Sequence, residues 1–339
     1  MVTSKGVGLA VPDWPTTFGY NMFLFPVSKW IGGVLFEHTH RLIASTVGFL
    51  TIILALWVWR AEDPPSPGSG ATGRQSVRNL ALIAVAGVIL QGILGGLRVT
   101  TLRDQIGIFH ACIAQAFLAL LVLIALLTTR FWRLPLSNST GLTSPDAKPL
   151  RRIHAIAVAT TIAIYAQLAL GATMRHQHRD LAILDFPTAN GAWIPDTGEA
   201  ALAKINAWRD LRGLSDVSAF QIWLQMLHRF LALLIGVAVV SVCVRIWREA
   251  RDVPVLKQLS MLWVVGILLQ VTLGAWTIWS NKAADIATAH VAVGALMLCL
   301  GVSIWAICAR MAEAASGRVG ALRRPDAAAR RPYRSEPFA

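Results

Sequence analysis

Apolar residues run almost unbroken through seven stretches of this chain, at roughly 39–59, 79–98, 107–130, 153–174, 219–244, 257–279 and 285–309. Each is close to the ~20 residues that a helix needs to cross a bilayer. None has the short apolar core and small-residue cleavage site of a signal peptide. The pattern predicts an all-α polytopic membrane protein with seven transmembrane helices. Composition agrees, since 14% of the residues are charged, where soluble domains carry about a quarter.

The stretches between the apolar runs differ in kind. Asp63–Gly73 and Leu136–Pro149 are rich in loop formers and read as connectors on one side of the membrane. The longest loop, Arg175–Ala219, faces the other side and carries Asp185-Phe186-Pro187, Trp193-Ile194-Pro195-Asp196 and a polar, helical-looking stretch around Glu199–Leu211. Loops of that length inside a compact protein are often functional.

A formal net charge of +13 raises the question of nucleic acid, and the placement of the charges answers it. If residues 1–38 lie on side one, side two receives Arg60, Arg74 and Arg78, the cluster from Arg130 to Arg152, the cluster from Arg245 to Lys257, and the arginines from Arg310 to Arg334. That is well over half of the 31 basic residues, which makes side two cytoplasmic by the positive-inside rule. The basic tail after Arg310 then reads as a cytoplasmic anchor near anionic lipid and not as a nucleic-acid arm. The four cysteines, Cys112, Cys243, Cys299 and Cys308, all fall in apolar segments, so no extracytoplasmic loop can form a disulfide and no CxxC metal site exists. They read as packing residues.

An internal repeat organises the chain. Gln-x-x-Leu-Gly occurs near the outer end of three helices, at Gln91–Gly95, Gln167–Gly171 and Gln270–Gly274. Two of these lead through a short loop into a helix whose early residues include His110 or His290. The other two histidine helices open with Glu37-His38-Thr39-His40-Arg41-Leu42 and Gln225-Met226-Leu227-His228-Arg229-Phe230. The order thus predicts two pseudo-symmetric four-helix halves. The second, 153–310, has all four helices; the first, 1–135, has three. A cytoplasmic linker (136–152) joins them, and a basic cytoplasmic tail (311–339) follows. The expectation is a further N-terminal helix upstream of Met1, missing from this chain, which would supply a wall of the N-terminal pocket.

Four of the eight histidines, His40, His110, His228 and His290, lie in the first residues of helices entering from the same side. At ~1.5 Å rise per residue they share one shallow depth. Ionisable groups at membrane depth are costly and mark function. Zinc would take three or four clustered ligands, often with Cys or carboxylate, and only Glu37 is at hand. Haem iron takes axial histidines on opposite faces of its ring, which suits one His from each of two facing helices. The repeat supplies two such pairs, His40 with His110 and His228 with His290, and hence two haem sites.

The halves differ at one position. Glu37 lies three residues before His40, while the matching residue before His228 is Gln225. A carboxylate beside one site alone points to acid–base or electrophile-stabilising chemistry in the first half; the alternative is a helix-start residue offsetting the dipole. Arg41 and Arg229 follow their histidines directly, as partners for haem propionates or as snorkelling interface residues. His38, His176 and His178 are expected to face solvent. His154 sits at the cytoplasmic helix end, away from the cluster.

On these residues the sequence resembles the haem A synthase family. Glu37-x-x-His40-Arg41, His110, His228-Arg229 and His290 carry the resemblance, with the first-loop run Val2-Thr3-Ser4-Lys5-Gly6-x-Gly8-Leu9-Ala10-Val11-Pro12-Asp13-Trp14-Pro15. It extends from Val2 to about Arg310. The resemblance implies eight helices in two halves and a b-type haem on His228 and His290. It further implies haem O as substrate between His40 and His110, with Glu37 as the catalytic carboxylate. The reaction implied is oxidation of the C8 methyl of haem O to a formyl group through successive hydroxylations, with water as the oxygen source. The implied partners are a haem O synthase, the cytochrome c oxidase assembly machinery and an electron acceptor, in the cell (inner) membrane; a homo-oligomer is compatible with it. Some members carry a loop cysteine pair that this sequence lacks, so a redox role for such a pair does not transfer.

Two other classes compete. A non-catalytic di-haem b membrane electron carrier explains the histidine pairs but not the Glu37/Gln225 difference. A transporter or haem-insertion factor also uses repeats and intramembrane polar groups, but few charges lie between the helix ends here.

Overall fold

The computed structural model describes residues 10–61, 71–129, 132, 147–177 and 181–322. His178, Val2–Leu9 of the first-loop run, most of both connectors and residues 323–339 of the tail lie outside them.

Eight α-helices follow one another among the described residues: α1 (Gly32–Arg60), α2 (Ala71–Thr101), α3 (Asp104–Thr128), α4 (Ala147–Gln177), α5 (Glu199–Asp210), α6 (Ala219–Glu249), α7 (Pro254–Trp279) and α8 (Ala284–Leu322). All except α5 are long and apolar enough to cross a membrane, so the protein is a multi-pass membrane protein, as the apolar runs predict. α5 is the polar helix expected in the long loop. The ends are set locally. Ser218 and Gln221 form a reciprocal capping box at the start of α6, and Pro254 occupies the first turn of α7, where its missing N–H costs nothing.

Helices begin earlier than hydropathy alone suggests. α1 starts at Gly32, seven residues before its apolar run, so Glu37, His38, His40 and Arg41 are all helical. At the opposite end of the molecule α8 continues through Leu322, with Met311, Ala312 and Ala315 buried. The start of the basic tail is therefore helix packed on the bundle.

Packing divides the molecule unevenly. α4, α6, α7 and α8 form a closed ring in which each helix packs on two of the others. α1 packs on α2 and α2 on α3, and α3 joins the two groups by packing on α4 and α8. Half of the most apolar window of α8 is buried, against 6% for α1 and for α3, so α1 and α3 are the helices most open to their surroundings. The large buried side chains of the ring, among them Leu150, Ile153, Val242, Ile246, Leu256, Trp263, Ile304 and Cys308, lie towards the end away from the histidines. Trp263 spends its indole N–H on the Met297 carbonyl (2.9 Å), which lets it sit dry in that core. No cysteine forms a disulfide, and Cys308 is fully buried there. The main core thus fills one end of the ring, and at the histidine end a smaller apolar cluster of Ala182, Ile183, Ala189, Val217, Ile222 and Met226 packs the second loop on α6.

Candidate haem-binding sites

The His40 and His110 rings, from α1 and α3, face one another with centroids 6.4 Å apart and planes at 81°. Two imidazole nitrogens each about 2 Å from one metal would put the ring centres about 6 Å apart, so this pair fits an axial pair. His228 of α6 and His290 of α8 are near enough for the charge of one to bear on the other. His110, His228 and His290 are half-buried and His40 is exposed. Among the described residues no three His, Cys, Asp or Glu side chains gather as a metal-ligand cluster; each site offers two imidazoles.

The Gln-x-x-Leu-Gly repeat positions three of these rings. A Cβ built on Gly95, Gly171 or Gly274 would stand 3.6, 3.4 or 3.2 Å from Cε1 of His110, His228 or His290 respectively. The glycine therefore gives each ring a close backbone wall. The glutamine fixes the neighbouring helix: Gln91 Nε2 donates to the His110 carbonyl (3.0 Å) and Gln167 Nε2 to the His228 carbonyl (2.8 Å). Gln270 reaches α8 beside Gly294, one turn after His290. Nδ1 of His110, His228 and His290 is buried without a hydrogen-bond partner, as is Oε1 of all three glutamines. Buried unpaired polar atoms are uncommon and need a reason. Here they cluster at the rings that would ligate a metal, which is where such a group fits.

A second duplication lies in the loops before α1 and α6. Asp13-Trp14-Pro15-Thr16-Thr17-Phe18-Gly19-Tyr20 and Asp185-Phe186-Pro187-Thr188-Ala189-Asn190-Gly191-Ala192 adopt the same turn. Each proline follows a cis peptide bond, and Gly19 and Gly191 take positive φ (74° and 81°), a region that favours glycine. Each aspartate closes its turn. Asp13 accepts from Phe18 N (2.8 Å), Gly19 N (2.9 Å) and the Thr16 hydroxyl (2.5 Å). Asp185 accepts from Asn190 N (2.7 Å), Gly191 N (2.9 Å) and the Thr188 hydroxyl (2.7 Å).

The arginines after the histidines hold these turns to the helices. Arg41 Nη1 donates to the carbonyls of Asp13 (2.7 Å) and Thr16 (2.9 Å). Arg229 donates to those of Asp185 (2.7 Å) and Thr188 (2.8 Å). Both guanidinium groups face loop backbone, where the sequence suggests propionates or snorkelling. One turn earlier, Gln225 makes two hydrogen bonds to Ile183, accepting from its N–H (2.9 Å) and donating to its carbonyl (3.0 Å). Glu37 accepts from the equivalent Val11 N–H (3.0 Å) but has nothing to donate. Arg41 Nη2 takes over, donating both to the Val11 carbonyl (2.9 Å) and to Glu37 Oε1 (2.9 Å). Glu37 and Gln225 are thus equally buried, at 3% exposure, and latch equivalent loops by different chemistry.

His38 departs from its expected place in solvent. It is fully buried, with Nδ1 3.2 Å from the Thr17 hydroxyl and its ring against Phe25 and Trp30. It is a packing residue under the first loop. His176 is not a free loop residue either. It ends α4 half-buried over Gly107, where a Cβ would meet its ring at 2.7 Å. His154 lies away from both sites, with Nδ1 3.0 Å from the Trp305 carbonyl.

The two turn aspartates give an acid-sensitive element outside the membrane. Burial pushes the Asp13 and Asp185 carboxyls up, but the hydrogen bonds from Gly19 or Gly191, the threonine hydroxyls and the remaining turn amides outweigh it. Both pKa values lie below their ordinary 3.8. A depressed pKa adds stability above the unfolded value that is lost as pH falls through the folded one. Both turns should therefore hold to about pH 4 and loosen below it. Pepsin cleavage between pH 4.5 and 2.5 should rise within 10–25 and 181–197. In Asp13→Asn the step should vanish from 10–25 alone; an unchanged profile there would reject the carboxylate as its origin.

A family model described as cytochrome oxidase assembly protein matches residues 1–302. A heme A synthase of Shouchella clausii is 29% identical over 272 residues, 78% of this chain and 77% of its own length. The heme A synthase of Geobacillus kaustophilus is 24% identical over 86% of this chain and 79% of its own. That of Shewanella oneidensis is 24% identical over 88% and 87%.

Proposed function

The chain belongs to the family of cytochrome oxidase assembly proteins, and we propose that within it the protein oxidises haem O to haem A. The observation that carries this reading is a duplicated histidine-pair site with a carboxylate in one copy, Glu37, and an amide in the other, Gln225. The heme A synthases that match most of the chain support it.

In this reading haem O is the substrate and lies between His40 and His110, while His228 and His290 hold a resident haem b. Bound there, haem b would supply one-electron redox chemistry. Converting the C8 methyl and one water to a formyl group releases four protons and four electrons, which an acceptor must remove. His40 and His110 orient the substrate by ligating its iron from opposite faces. Glu37 places a fixed acceptor group beside His40, on which its charge bears; there it can stabilise positive charge developing at the oxidised carbon. The Asp13 turn, tied down by Arg41, closes the N-terminal site at the histidine end, as the Asp185 turn does over the C-terminal one. In this reading the protein lies in the cell membrane, and the distribution of basic residues supports a histidine end outside the cytoplasm and a C-terminus inside. A haem O synthase supplies the substrate, and cytochrome c oxidase assembly consumes the product.

The test is co-expression of the full chain with a haem O synthase and mass analysis of the extracted haems. Wild type should yield haem A and a bound protohaem. His40→Ala or His110→Ala should remove haem A and leave the protohaem, and His228→Ala should remove the protohaem. Two protohaems and no haem A from wild type would make the protein an electron carrier instead.

A further inference from the structure

One apolar surface lies in a loop and not on a spanning helix. Before α1 the first loop makes two single 3-10 turns, Met22–Leu24 and Val27–Lys29. Phe25 and Trp30 turn inward, with ring centroids 5.0 and 4.7 Å from that of His38. Phe23, Leu24, Val27 and Ile31 turn outward and are 69, 77, 75 and 72% exposed. Polar groups of the segment are spent within the loop. The Asn21 side chain accepts from Phe23 N (2.9 Å), and Lys29 Nζ donates to the Tyr20 hydroxyl (3.1 Å). The N–H groups of Leu24, Lys29 and Trp30 are bonded to loop carbonyls. Large apolar side chains gathered outward in this way mark a contact surface.

Its place on α1 says what it meets. At about 3.6 residues per turn, the side of α1 that His38 occupies comes round again at Phe49, Ile52 and Leu56, all exposed. The loop patch therefore continues the outward apolar stripe of a spanning helix. The second half repeats this with all four of its helices present. Met226 stands where His38 does, two residues before the ligand histidine, and is buried in the apolar cluster under the second loop. The same side of α6 continues as Val237, Val240 and Val244, again exposed. In neither half does this side take a neighbouring helix among the described residues. Depth agrees. Trp57 is exposed, as interfacial tryptophans are, and follows His38 by 19 residues, or about 28 Å of helix. That is close to the ~30 Å of bilayer hydrocarbon, so the loop packed at the level of His38 stands at the opposite boundary.

We propose that Phe23, Leu24, Val27 and Ile31 seat the first loop in the bilayer boundary, among lipid acyl chains just below the headgroups. The partner is lipid because the patch continues an outward stripe of a spanning helix at the depth where hydrocarbon ends. The same loop carries the Asp13 turn, so lipid holds from outside the element that Arg41 holds from inside. The inference needs only that α1 spans the membrane and stands apart from the haem reading.

The experiment uses the full-length protein in phosphatidylcholine nanodiscs, with the photo-crosslinker p-benzoylphenylalanine in place of Leu24 or, as reference, of Phe49. After irradiation, intact-mass analysis reads what each probe has captured. Leu24→p-benzoylphenylalanine should take up phosphatidylcholine at a yield close to that of the probe at Phe49. Capture of a second copy of the chain, or no lipid adduct where Phe49 gives one, would overturn the proposal. Trypsin supplies a second readout without the probe. Leu24→Asp with Val27→Asp should speed cleavage after Lys29 by at least about tenfold, the worth of one large apolar side chain kept from water. Cleavage after Lys204 in the second loop should keep its wild-type rate. An unchanged rate after Lys29, or an equal rise at both sites, would leave the loop without a lipid seat.

Discussion

Glu37→Gln is expected to lower haem A formation by about 10²–10³-fold, the usual cost of deleting one preorganised electrostatic group, without unfolding the protein. The second half of the molecule explains the separation. There an amide, Gln225, already does the same latching, accepting from Ile183 N–H and donating to its carbonyl. A glutamine at 37 can do likewise with Val11, and Arg41 keeps its carbonyl acceptors at Asp13 and Thr16. What disappears is the charge beside His40. The measurements are haem A per bound protohaem and the thermal unfolding midpoint of the purified variant. Wild-type haem A from Glu37→Gln would reduce Glu37 to a latch. A large fall in the midpoint would mean that the charge holds the loop and that the two halves are not interchangeable there.

Arg41→Ala is expected to do the reverse, destabilising the N-terminal half by about 3–5 kcal/mol, the range for stripping one partner from a buried ion pair. Arg41 and Glu37 are both buried, and removal of the guanidinium leaves a carboxylate uncompensated together with the carbonyls of Val11, Asp13 and Thr16. Arg229→Ala makes the comparison. It leaves carbonyls without a donor but no carboxylate, because Gln225 is neutral, and should cost about 1–3 kcal/mol. Thermal unfolding of both variants, with proteolysis mapped to 10–25 or 181–197, separates them. Equal losses would show that the pair with Glu37 contributes nothing beyond the loop contacts.

Much of this arrangement is legible in the chain because hydropathy and helical period carry it. The seven spans follow from apolar runs, and the matched depth of His40, His110, His228 and His290 follows from their places near helix starts. The first turns of α1 are less visible. Loop residues cover them, not lipid, so their polar composition resembles that of an exposed loop, and His38 reads as solvent-facing although Thr17, Phe25 and Trp30 enclose it. The paired turns are hidden for another reason. Asp13 precedes Arg41 by 28 residues and Asp185 precedes Arg229 by 44, because the second loop also accommodates α5. The motif repeats, but its distance to the helix does not. The targets of Arg41 and Arg229 leave no trace in sequence at all, since a backbone carbonyl is the same atom in every residue. Arg98 and His176 come together only because α2 and α4 end at one level over Gly107, a tertiary coincidence that no local pattern encodes.

The glutamine links have a bearing on how such a molecule can vary. Gln91 reaches the His110 carbonyl across 19 residues, whereas Gln167 reaches that of His228 across 61, with α5 in between. Connector length is therefore free, and angular phase is not. One residue inserted between His110 and the start of α3 would leave the ring where it is only if the turn absorbed it. Inserted between Gln91 and Gly95, it would swing the glycine about 100° around α2 and 1.5 Å along it, taking the wall from the His110 ring while the glutamine stayed in place. Related chains should thus differ by whole loops and by substitutions, while single-residue insertions within these helix segments are selected against.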